Sequence, residues 1–327
     1  MIISRAPVRI SMGGGGTDLP SYYTRRGGFL MAAAINRYVF IMVNRRFQKS
    51  FRLSYSRTEI VSQADEIEHN IFREALKFAG VDTHLELVSV ADVPAQCGLG
   101  TSSSFTVSLL NGLFSFQRRY VNLSELAEAA CRVEIGILQE PIGKQDQYVA
   151  SFGGFNAYTF HLDGTVSIEP VRISEENVMT LQNNILLFHL GKERSASETL
   201  EEQNRKSLDG DANVLSRLDT IKDIGLQTRK AFEAGRIDEF GELLHSHWMS
   251  KRLLSSKVTD PVIDEAYELA RINGALGGKV VGAGGGGFLL VYCPKNRSKV
   301  IEAMGRVGLR PTWFSFEHEG AKIVYHG

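Results

Sequence analysis

The sequence predicts an α+β protein with two domains. Its 327 residues are about the length of two ordinary domains. Strand-like alternation and helix-like periodicity occur in both halves, so we expect strands and helices to be mixed along the whole chain. The chain becomes polar around residues 175–183. We therefore place a boundary there, with an N-terminal domain at 1–178 and a C-terminal domain at 179–327.

The composition argues against several classes of protein. Hydrophobic residues make up 43% of the chain and charged residues 23%, which is enough for an ordinary globular core. Basic and acidic residues balance at 37 each, so no net charge attracts nucleic acid or an anionic membrane. An anion that binds to this protein must therefore be recognised locally.

The cysteines and the apolar segments predict a cytoplasmic protein. Cys97, Cys131 and Cys293 are far apart and form no CxxC pair, which is typical of a reduced chain without disulfides or a zinc site. The first residues do not have the pattern of a signal peptide, and no apolar window approaches the ~18 residues of a membrane span. We expect no nucleic-acid partner and no membrane contact; a homodimer is compatible with the sequence.

The first half is predicted to begin with strands. Residues 5–12 (RAPVRISM) alternate between polar and apolar side chains, as in a half-buried strand. Further strands are predicted at 27–35, 37–47 and 51–56, followed by an amphipathic helix at 65–80 and a strand at 83–94.

The later elements follow in the same way. Asn122 and Glu125 can form a capping box that opens a helix at 123–139. Residues 151–173 are rich in strand formers, with Asp163-Gly164 as a hairpin turn. The second half is predicted to contain a strand at 184–191, long helices at 196–273, a strand at 279–293, a helix at 296–305 and strands at 309–316 and 321–325.

The stretch DVPAQCGLGTSSSF at residues 92–105 predicts a binding site for an anion. Gly98 and Gly100 free the backbone, and four consecutive hydroxyl residues follow at the start of an apolar helix. A helix N-terminus carries unpaired N–H groups and a partial positive charge, so it binds phosphate. One of the hydroxyls could also ligate Mg²⁺. An ordinary serine-capped helix explains this stretch equally well when it is taken alone, and no P-loop pattern GxxxxGK[ST] occurs.

Two further segments are rich in glycine. SMGGGGTDLP at 11–20 has four glycines followed by Asp18, which favours a carboxylate that hydrogen-bonds sugar hydroxyls over a flexible turn. KVVGAGGGGFLLVYC at 279–293 has glycines inside an apolar strand, which indicates either a close backbone approach to a ligand or a simple bend between two strands.

Two acidic residues lie between the second and third of these glycine-rich segments. Glu134 is predicted on an apolar stripe of its helix, with Ala130, Ile137 and Leu138, where a charge is costly unless it is paired or bound to metal. Asp146 follows the end of that helix and lies beside Lys144. For Asp146 alone, a solvated loop residue is the default interpretation.

In combination, these motifs resemble those of the GHMP kinases. The three glycine-rich segments occur in the family's order, as APVRISMGGGGTDLP, PAQCGLGTSSS and KVVGAGGGGF, and Thr101 replaces the usual first serine of the second segment. GKQDQYVASFGG is similar to the family's catalytic stretch. The resemblance implies a ribosomal S5 domain 2-like N-terminal domain, a ferredoxin-like C-terminal domain and a site between them.

The resemblance also implies roles for particular residues, with ATP and Mg²⁺ bound at the site. Asp146 corresponds to the catalytic aspartate and Arg9 to the active-site arginine, while Glu134 and Ser102 are expected to hold Mg²⁺. The residues expected to bind ATP phosphates are Gly98, Leu99, Gly100, Thr101, Ser102, Ser103 and Ser104. Those expected to bind or enclose the sugar are Gly15, Gly16, Thr17, Asp18, Gly284, Gly285 and Gly286.

Within this superfamily, several segments are similar to the D-glycero-D-manno-heptose 7-phosphate kinases. These are RISMGGGGTDLP, NRYVFIMV and the region from SYSRTEIV to DEIEHNIFREAL. That resemblance implies ATP-dependent phosphorylation of the anomeric hydroxyl, with a sugar phosphate and ATP as the small-molecule partners. A substrate phosphate would need a cationic pocket, for which Arg25, Arg26, Lys49 and Arg52 are candidates as a group. A kinase of an unphosphorylated sugar such as fucose or galactose, and a non-catalytic sensor, stay open as alternatives.

Overall fold

The computed structural model describes residues 1–191 and 196–327, which form two β-sheets with helices packed on them. The strands are β1 (Ile2–Gly13), β2 (Gly28–Arg45), β3 (Phe51–Ser54), β4 (Thr58–Val61), β5 (Leu85–Ala91), β6 (Phe155–Phe160), β7 (Val166–Pro170), β8 (Ile185–His189), β9 (Gly277–Val280), β10 (Phe288–Tyr292) and β11 (Lys322–His326). The helices are α1 (Pro20–Arg26), α2 (Asn70–Ala79), α3 (Thr101–Phe116), α4 (Leu123–Cys131), α5 (Gln145–Phe152), α6 (Glu175–Asn184), α7 (Ala196–Leu208), α8 (Ala212–Glu233), α9 (Glu239–Lys251), α10 (Pro261–Ile272) and α11 (Arg297–Arg306). The predicted α+β class is confirmed.

The larger sheet combines the first half of the chain with its last strand. Its strand order is β11-β1-β2-β5-β3-β4, with β6 paired to β2 and β7 paired to β6. The pairs are antiparallel except for β3 with β5. Because β11 pairs with β1, the C-terminal segment returns to the sheet on which the chain began.

The two strands predicted at 27–35 and 37–47 are one continuous strand, β2. Its pairing with β1 shifts register where Pro7 faces Tyr38 and Val8 faces Ile35. The polar residues Asn36 and Arg37 therefore form a bulge within the strand, and a bulge bends a strand without ending it. This explains why the apolar pattern alone suggested a break.

Helices α2, α3 and α4 cover one face of the larger sheet. The buried core there includes Val43 of β2, Leu76 of α2 and Leu110 of α3. A second core joins the halves of the chain, since Ile10 of β1 belongs to the same apolar cluster as Phe232 of α8 and Leu290 of β10. Helix α8 also packs on β1 and β2, so it attaches the second half of the chain to the larger sheet.

The smaller sheet has the strand order β8-β10-β9 and is antiparallel. The single strand predicted at 279–293 is wrong, because the glycines at 282 and 284–287 turn the chain so that β9 pairs with β10. The predicted strand at 309–316 is also not a strand of the sheet. Instead Pro311 forms an isolated bridge to Phe188 of the smaller sheet and Phe316 one to Ile35 of the larger sheet.

Local sequence signals set several element ends. Asn122 and Glu125 form the predicted capping box at the start of α4. The predicted hairpin turn at Asp163-Gly164 joins β6 to β7, and Asp163 accepts hydrogen bonds from Thr165. The helix predicted from residue 65 begins later, because His69 caps α2 and a short 3₁₀ helix at Ala64–Glu66 precedes it.

Candidate active site

A cavity of about 370 Å³ lies between the two halves of the chain. This volume is within the range of small-molecule sites. Its first-half walls come from β1 and the loop after it, the loop before α3, the start of α3 and the start of α5. The second half contributes Leu200, Gln203, His247, Lys251, Lys279, Gly282 and Ala283.

The glycine loop before α3 brings the N-terminus of that helix into the cavity. Gly98 and Gly100 have φ angles of +81° and +80°, a conformation that glycine adopts without strain. A Cβ atom on Gly98 would lie 2.5 Å from the carbonyl oxygen of Val281, so space also demands glycine there. The helix begins at Thr101, and its first N–H groups have no partners within the helix.

The residues of this loop do not all face the cavity. Thr101, Ser102 and Ser103 line it. Leu99 is buried in the core, and its carbonyl oxygen accepts a hydrogen bond from the backbone N–H of Arg9. The Ser104 hydroxyl points inward and donates to the carbonyl oxygen of Pro7 at 2.8 Å.

Glu134 is a buried carboxylate beside the loop hydroxyls. Its Oε1 accepts from the Ser102 hydroxyl at 3.0 Å, and its Oε2 accepts from the Gln147 amide at 2.7 Å. Burial raises the pKa of Glu134 to about 7, although hydrogen bonds from Gln147 and the serines oppose that rise. A cation close to this carboxyl group would stabilise its charged form and lower its pKa.

The helix around Glu134 differs from the prediction. The α-helix ends at Cys131, and residues Arg132–Ile137 form a π-helix, a rare conformation that is frequent at functional sites. Ile137 is therefore exposed and does not share an apolar stripe with Glu134. The burial of Glu134 was predicted, but it results from the π-helix and from α5, not from regular α-helical spacing.

Asp146 forms a two-point ion pair with Arg9. Arg9 Nε lies 2.7 Å from Asp146 Oδ1, and Arg9 Nη2 lies 2.8 Å from Oδ2. Gln145 Nε2 also donates to Oδ1 at 2.8 Å. Asp146 is the second residue of α5, not a loop residue, and both it and Arg9 line the cavity. The carboxylate is therefore fixed in orientation at the cavity wall.

Asp18 is fixed by the backbone. Its Oδ1 accepts from the N–H of Gly16 at 3.0 Å, and its Oδ2 accepts from the N–H of Gln145 at 3.1 Å. Burial, and then the charge of Asp146, raise the pKa of Asp18. Gly15, Gly16 and Asp18 line the cavity, so three of the predicted sugar-binding residues are brought together.

Thr17 has a different position from its neighbours. It is fully buried, and its Oγ1 lies 2.8 Å from the carbonyl oxygens of both Gly14 and Phe29. Its hydroxyl therefore closes the turn between β1 and α1 and does not face the cavity.

Two glycines of the third segment pack against the glycine loop before α3. A Cβ atom on Gly282 would lie 2.6 Å from the carbonyl oxygen of Gly98, and one on Gly287 would lie 2.1 Å from that of Cys97. Gly285 donates its N–H to Val258 at 2.7 Å. Gly282 lines the cavity, whereas residues 284–286 do not. Gly282 and Gly287 thus allow two loops from different halves to touch, whereas Gly284 and Gly285 contact Val258 within the second half.

The four basic residues that were candidates for a substrate-phosphate pocket do not line the cavity. Arg25 donates to carbonyl oxygens of α7, Arg26 pairs with Asp219, and Arg52 pairs with Glu86. Lys49 is exposed.

Three basic residues that the sequence analysis did not single out line the cavity instead. They are His247 and Lys251 on α9 and Lys279 on β9. The sequence feature that could have identified this group is Lys279, because a charge in the buried strand β9 is costly without a partner.

Two family models match this chain, and they identify its fold as that of a small-molecule kinase. The chain belongs to the GHMP kinases. The model of the GHMP kinases N terminal domain matches residues 67–154, and that of the GHMP kinases C terminal domain matches residues 228–308. Together they span just over half of the chain. The predicted family, fold and phosphotransferase class are confirmed.

Individual relatives agree with this assignment. The D-glycero-alpha-D-manno-heptose 7-phosphate kinase of Campylobacter jejuni subsp. jejuni serotype O:2 is 27% identical over 98% of both chains. The L-fucokinase/L-fucose-1-P guanylyltransferase of Bacteroides fragilis is 27% identical over 92% of this chain, which spans 35% of that protein. A solved D-glycero-D-manno-heptose 1-phosphate kinase from Bacteroides thetaiotaomicron has the same fold, with a TM-score of 0.83, 23% identity and 100% coverage of both chains.

The remaining expectations concern cysteines and membranes. Cys97, Cys131 and Cys293 are buried free thiols. In the described part of the chain, no helix is both long and apolar enough to span a bilayer.

Proposed function

We propose that this protein phosphorylates the anomeric hydroxyl of D-glycero-D-manno-heptose 7-phosphate with ATP, forming the 1,7-bisphosphate for nucleotide-activated heptose and surface glycans. The observation that carries the proposal is the meeting, in one cleft, of the Arg9–Asp146 pair with the Ser102–Glu134 pair. The similarity to the Campylobacter heptose 7-phosphate kinase along nearly the full chain supports the choice of sugar.

The glycine loop is the proposed site for the ATP phosphates. The unpaired N–H groups at the start of α3 and the residues Ser102 and Ser103 line the cavity, which suits a polyanion. Thr101 also lies at the cavity wall, but its hydroxyl donates to the carbonyl oxygen of Pro94. Leu99 contributes through its backbone, and Ser104 holds the helix against Pro7. The 1–178 domain would thus bind ATP, and the domain at 179–327 would close the cleft.

Glu134 and Ser102 are the proposed Mg²⁺ ligands. Their oxygens lie 3.0 Å apart at the helix N-terminus, and burial raises the pKa of Glu134, so a cation beside this carboxyl group would stabilise its charged form. The described residues contain no cluster of three or more metal-ligating side chains, so phosphate oxygens and water would complete the coordination. When bound, Mg²⁺ neutralises charge on the β- and γ-phosphates.

Asp146 is the proposed acceptor of the proton from the sugar hydroxyl. Phosphoryl transfer depends mainly on positioning and on charge stabilisation. The two hydrogen bonds from Arg9 fix the carboxylate, and the guanidinium places positive charge where negative charge develops. Asp18, with Gly15 and Gly16, is the proposed contact for the sugar's other hydroxyls.

The test is a substrate panel with Mg²⁺-ATP. The panel contains D-glycero-D-manno-heptose 7-phosphate, mannose 6-phosphate, fucose, galactose and mevalonate, with ADP release as the readout and ³¹P NMR to assign products. An anomeric phosphate formed only from the heptose 7-phosphate is the expected result. Turnover of free sugars alone would contradict the proposed substrate.

A kinase of an unphosphorylated sugar is the second candidate, because the fucokinase relative matches 92% of this chain. Fucose turnover in the same panel would favour it. ATP binding without turnover of any sugar would favour the sensor.

A further inference from the structure

The second half of the chain presents a group of buried basic side chains to the cavity. His247 and Lys251 lie four residues apart on α9, and Lys279 lies on β9, against which α9 packs. Their exposed fractions are 0%, 7% and 1%, and each lines the cavity. We refer to these three residues as the basic wall.

Among the side chains that the structure describes, those of residues 1–191 and 199–327, no carboxylate forms an ion pair with the basic wall, although the charge of Asp18 acts on Lys251. Lys251 Nζ donates only to carbonyl oxygens, those of Gly282 and, at 3.5 Å, Val280. The side chain of Lys279 has neither a hydrogen bond nor an ion pair in those ranges, and both ring nitrogens of His247 lack a partner there. Burying an unpaired cation is costly, so these residues are expected to serve a ligand.

Repulsion among the neighbouring positive charges adds to the free-energy cost of burying these basic side chains. Burial, and then the charge of Arg9, lower the pKa of Lys251 to about 7. Burial and the charges of Lys251 and Arg9 bring the pKa of Lys279 well below its usual value. The pKa of His247 is also well below its usual value, because of burial and the two lysines. A dianion in the cavity would restore both lysine charges, while a neutral His247 would donate one N–H.

The basic wall and the proposed ATP phosphate site belong to different halves of the chain. Ser102, Ser103 and Glu134 lie on α3 and the π-helix of the first half. Lys251 lies near Asp18, whose charge raises the pKa of that lysine. An anion on the basic wall would therefore adjoin the sugar subsite.

We propose that Lys251, Lys279 and His247 bind the phosphate group that the sugar substrate already carries before the reaction. This inference rests on the proposed function and specifies its substrate class, a sugar with a phosphate distant from the reacting hydroxyl. It replaces the pocket expected from Arg25, Arg26, Lys49 and Arg52.

Two variants test the proposal, Lys279→Met and Lys251→Met, with the exposed Lys299→Met as a matched control. Steady-state kinetics with D-glycero-D-manno-heptose 7-phosphate and Mg²⁺-ATP give both KM values. Loss of a charge-assisted hydrogen bond is expected to raise the KM for the heptose phosphate by about 10- to 100-fold. The KM for ATP is expected to stay within about twofold, and Lys299→Met to match the wild type.

A second measurement does not depend on turnover. Lys279→Met removes a buried amine that has no partner for its side chain, so this variant is expected to unfold at or above the wild-type Tm without ligand. Lys251→Met also removes two hydrogen bonds to carbonyl oxygens, so its Tm without ligand is expected to be lower than that of Lys279→Met. The heptose phosphate should then raise the Tm of the wild type but hardly that of the variants. Mg²⁺-ATP should raise the Tm of all of them.

Two failures are distinguishable. If the wild type uses the heptose phosphate but the variants lose ATP affinity, or keep the wild-type KM for the sugar, the basic wall does not bind the substrate phosphate. If the wild type phosphorylates only free sugars, the proposed function fails first, and the inference fails with it.

Discussion

Arg9 and Asp146 are joined by two nearly equal hydrogen bonds, of 2.7 and 2.8 Å, although 137 residues separate them in the chain. Arg9 lies on β1 and Asp146 in the first turn of α5, so the fold of the whole first half sets their alignment. A carboxylate held in this way keeps one orientation toward the cavity, as a proton acceptor requires.

Asp146→Asn is expected to lower kcat by about 10²-fold or more while largely preserving ATP affinity. The amide keeps the shape of the side chain but cannot accept the proton. Turnover rates and the Kd for ATP from titration calorimetry check this. Asp209→Asn, at an exposed position, is the control; near-normal kcat in Asp146→Asn would remove Asp146 from its proposed role.

Arg9→Lys is expected to be almost as damaging, because lysine cannot form two parallel hydrogen bonds to a carboxylate. Arg9 also donates to the carbonyl oxygen of Gly98, so the change loosens the phosphate loop. We expect kcat to fall at least about tenfold and the KM for ATP to rise. Full activity in Arg9→Lys would mean that positive charge alone is sufficient there.

The Mg²⁺ requirement is expected to depend on pH through Glu134. Its pKa is raised to about 7, so the carboxyl is increasingly protonated below pH 7 and must lose a proton to bind the cation. The Mg²⁺ concentration for half-maximal activity should therefore rise as pH falls from 8 to 6. In Glu134→Gln the Mg²⁺ concentration for half-maximal activity should be higher at every pH and should no longer vary with pH.

The exposed substitution Glu268→Gln is the control for Glu134. An Mg²⁺ titration of Glu134→Gln that matches the wild type across this pH range would return Glu134 to a purely structural role.

Gly98→Ala is expected to destabilise the protein and to weaken ATP binding. The φ angle of +81° costs any other residue about 1–2 kcal/mol, and the new Cβ would also lie 2.5 Å from the Val281 oxygen. Gly210→Ala separates the two effects, because Gly210 has a φ of +76° with nothing near its Cβ position. Chemical denaturation should show a larger loss for Gly98→Ala; equal losses would mean that the loop contact is easily relaxed.

Local chemistry made much of the fold and site predictable. Two glycines followed by four hydroxyl residues and an apolar run indicated the helix start at α3, and the Asn–x–x–Glu capping box indicated that of α4, so both were predictable from local sequence. Glycine alone is ambiguous, since the same freedom admits a ligand or another backbone. The packing of Gly287 on Cys97 could therefore not be predicted from the sequence.

The basic wall could not be predicted from the sequence for a different reason. Lys251 and Lys279 belong to different elements, and although a lysine in the apolar strand β9 is unusual, nothing in the sequence pairs it with Lys251. Only the packing of α9 on β9 brings them to one cavity. Similarly, the inward turn of the Ser104 hydroxyl depends on how α3 packs against β1, which local spacing does not specify.

The chain passes between the two sheets twice, once through α6 and once through the segment after α11. The second passage touches both sheets, at Phe188 through Pro311 and at Ile35 through Phe316. These crossings and the apolar cluster that contains Ile10, Phe232 and Leu290 both join the two halves, so unfolding of one half would expose core residues of the other. The whole chain is therefore expected to unfold as one cooperative unit.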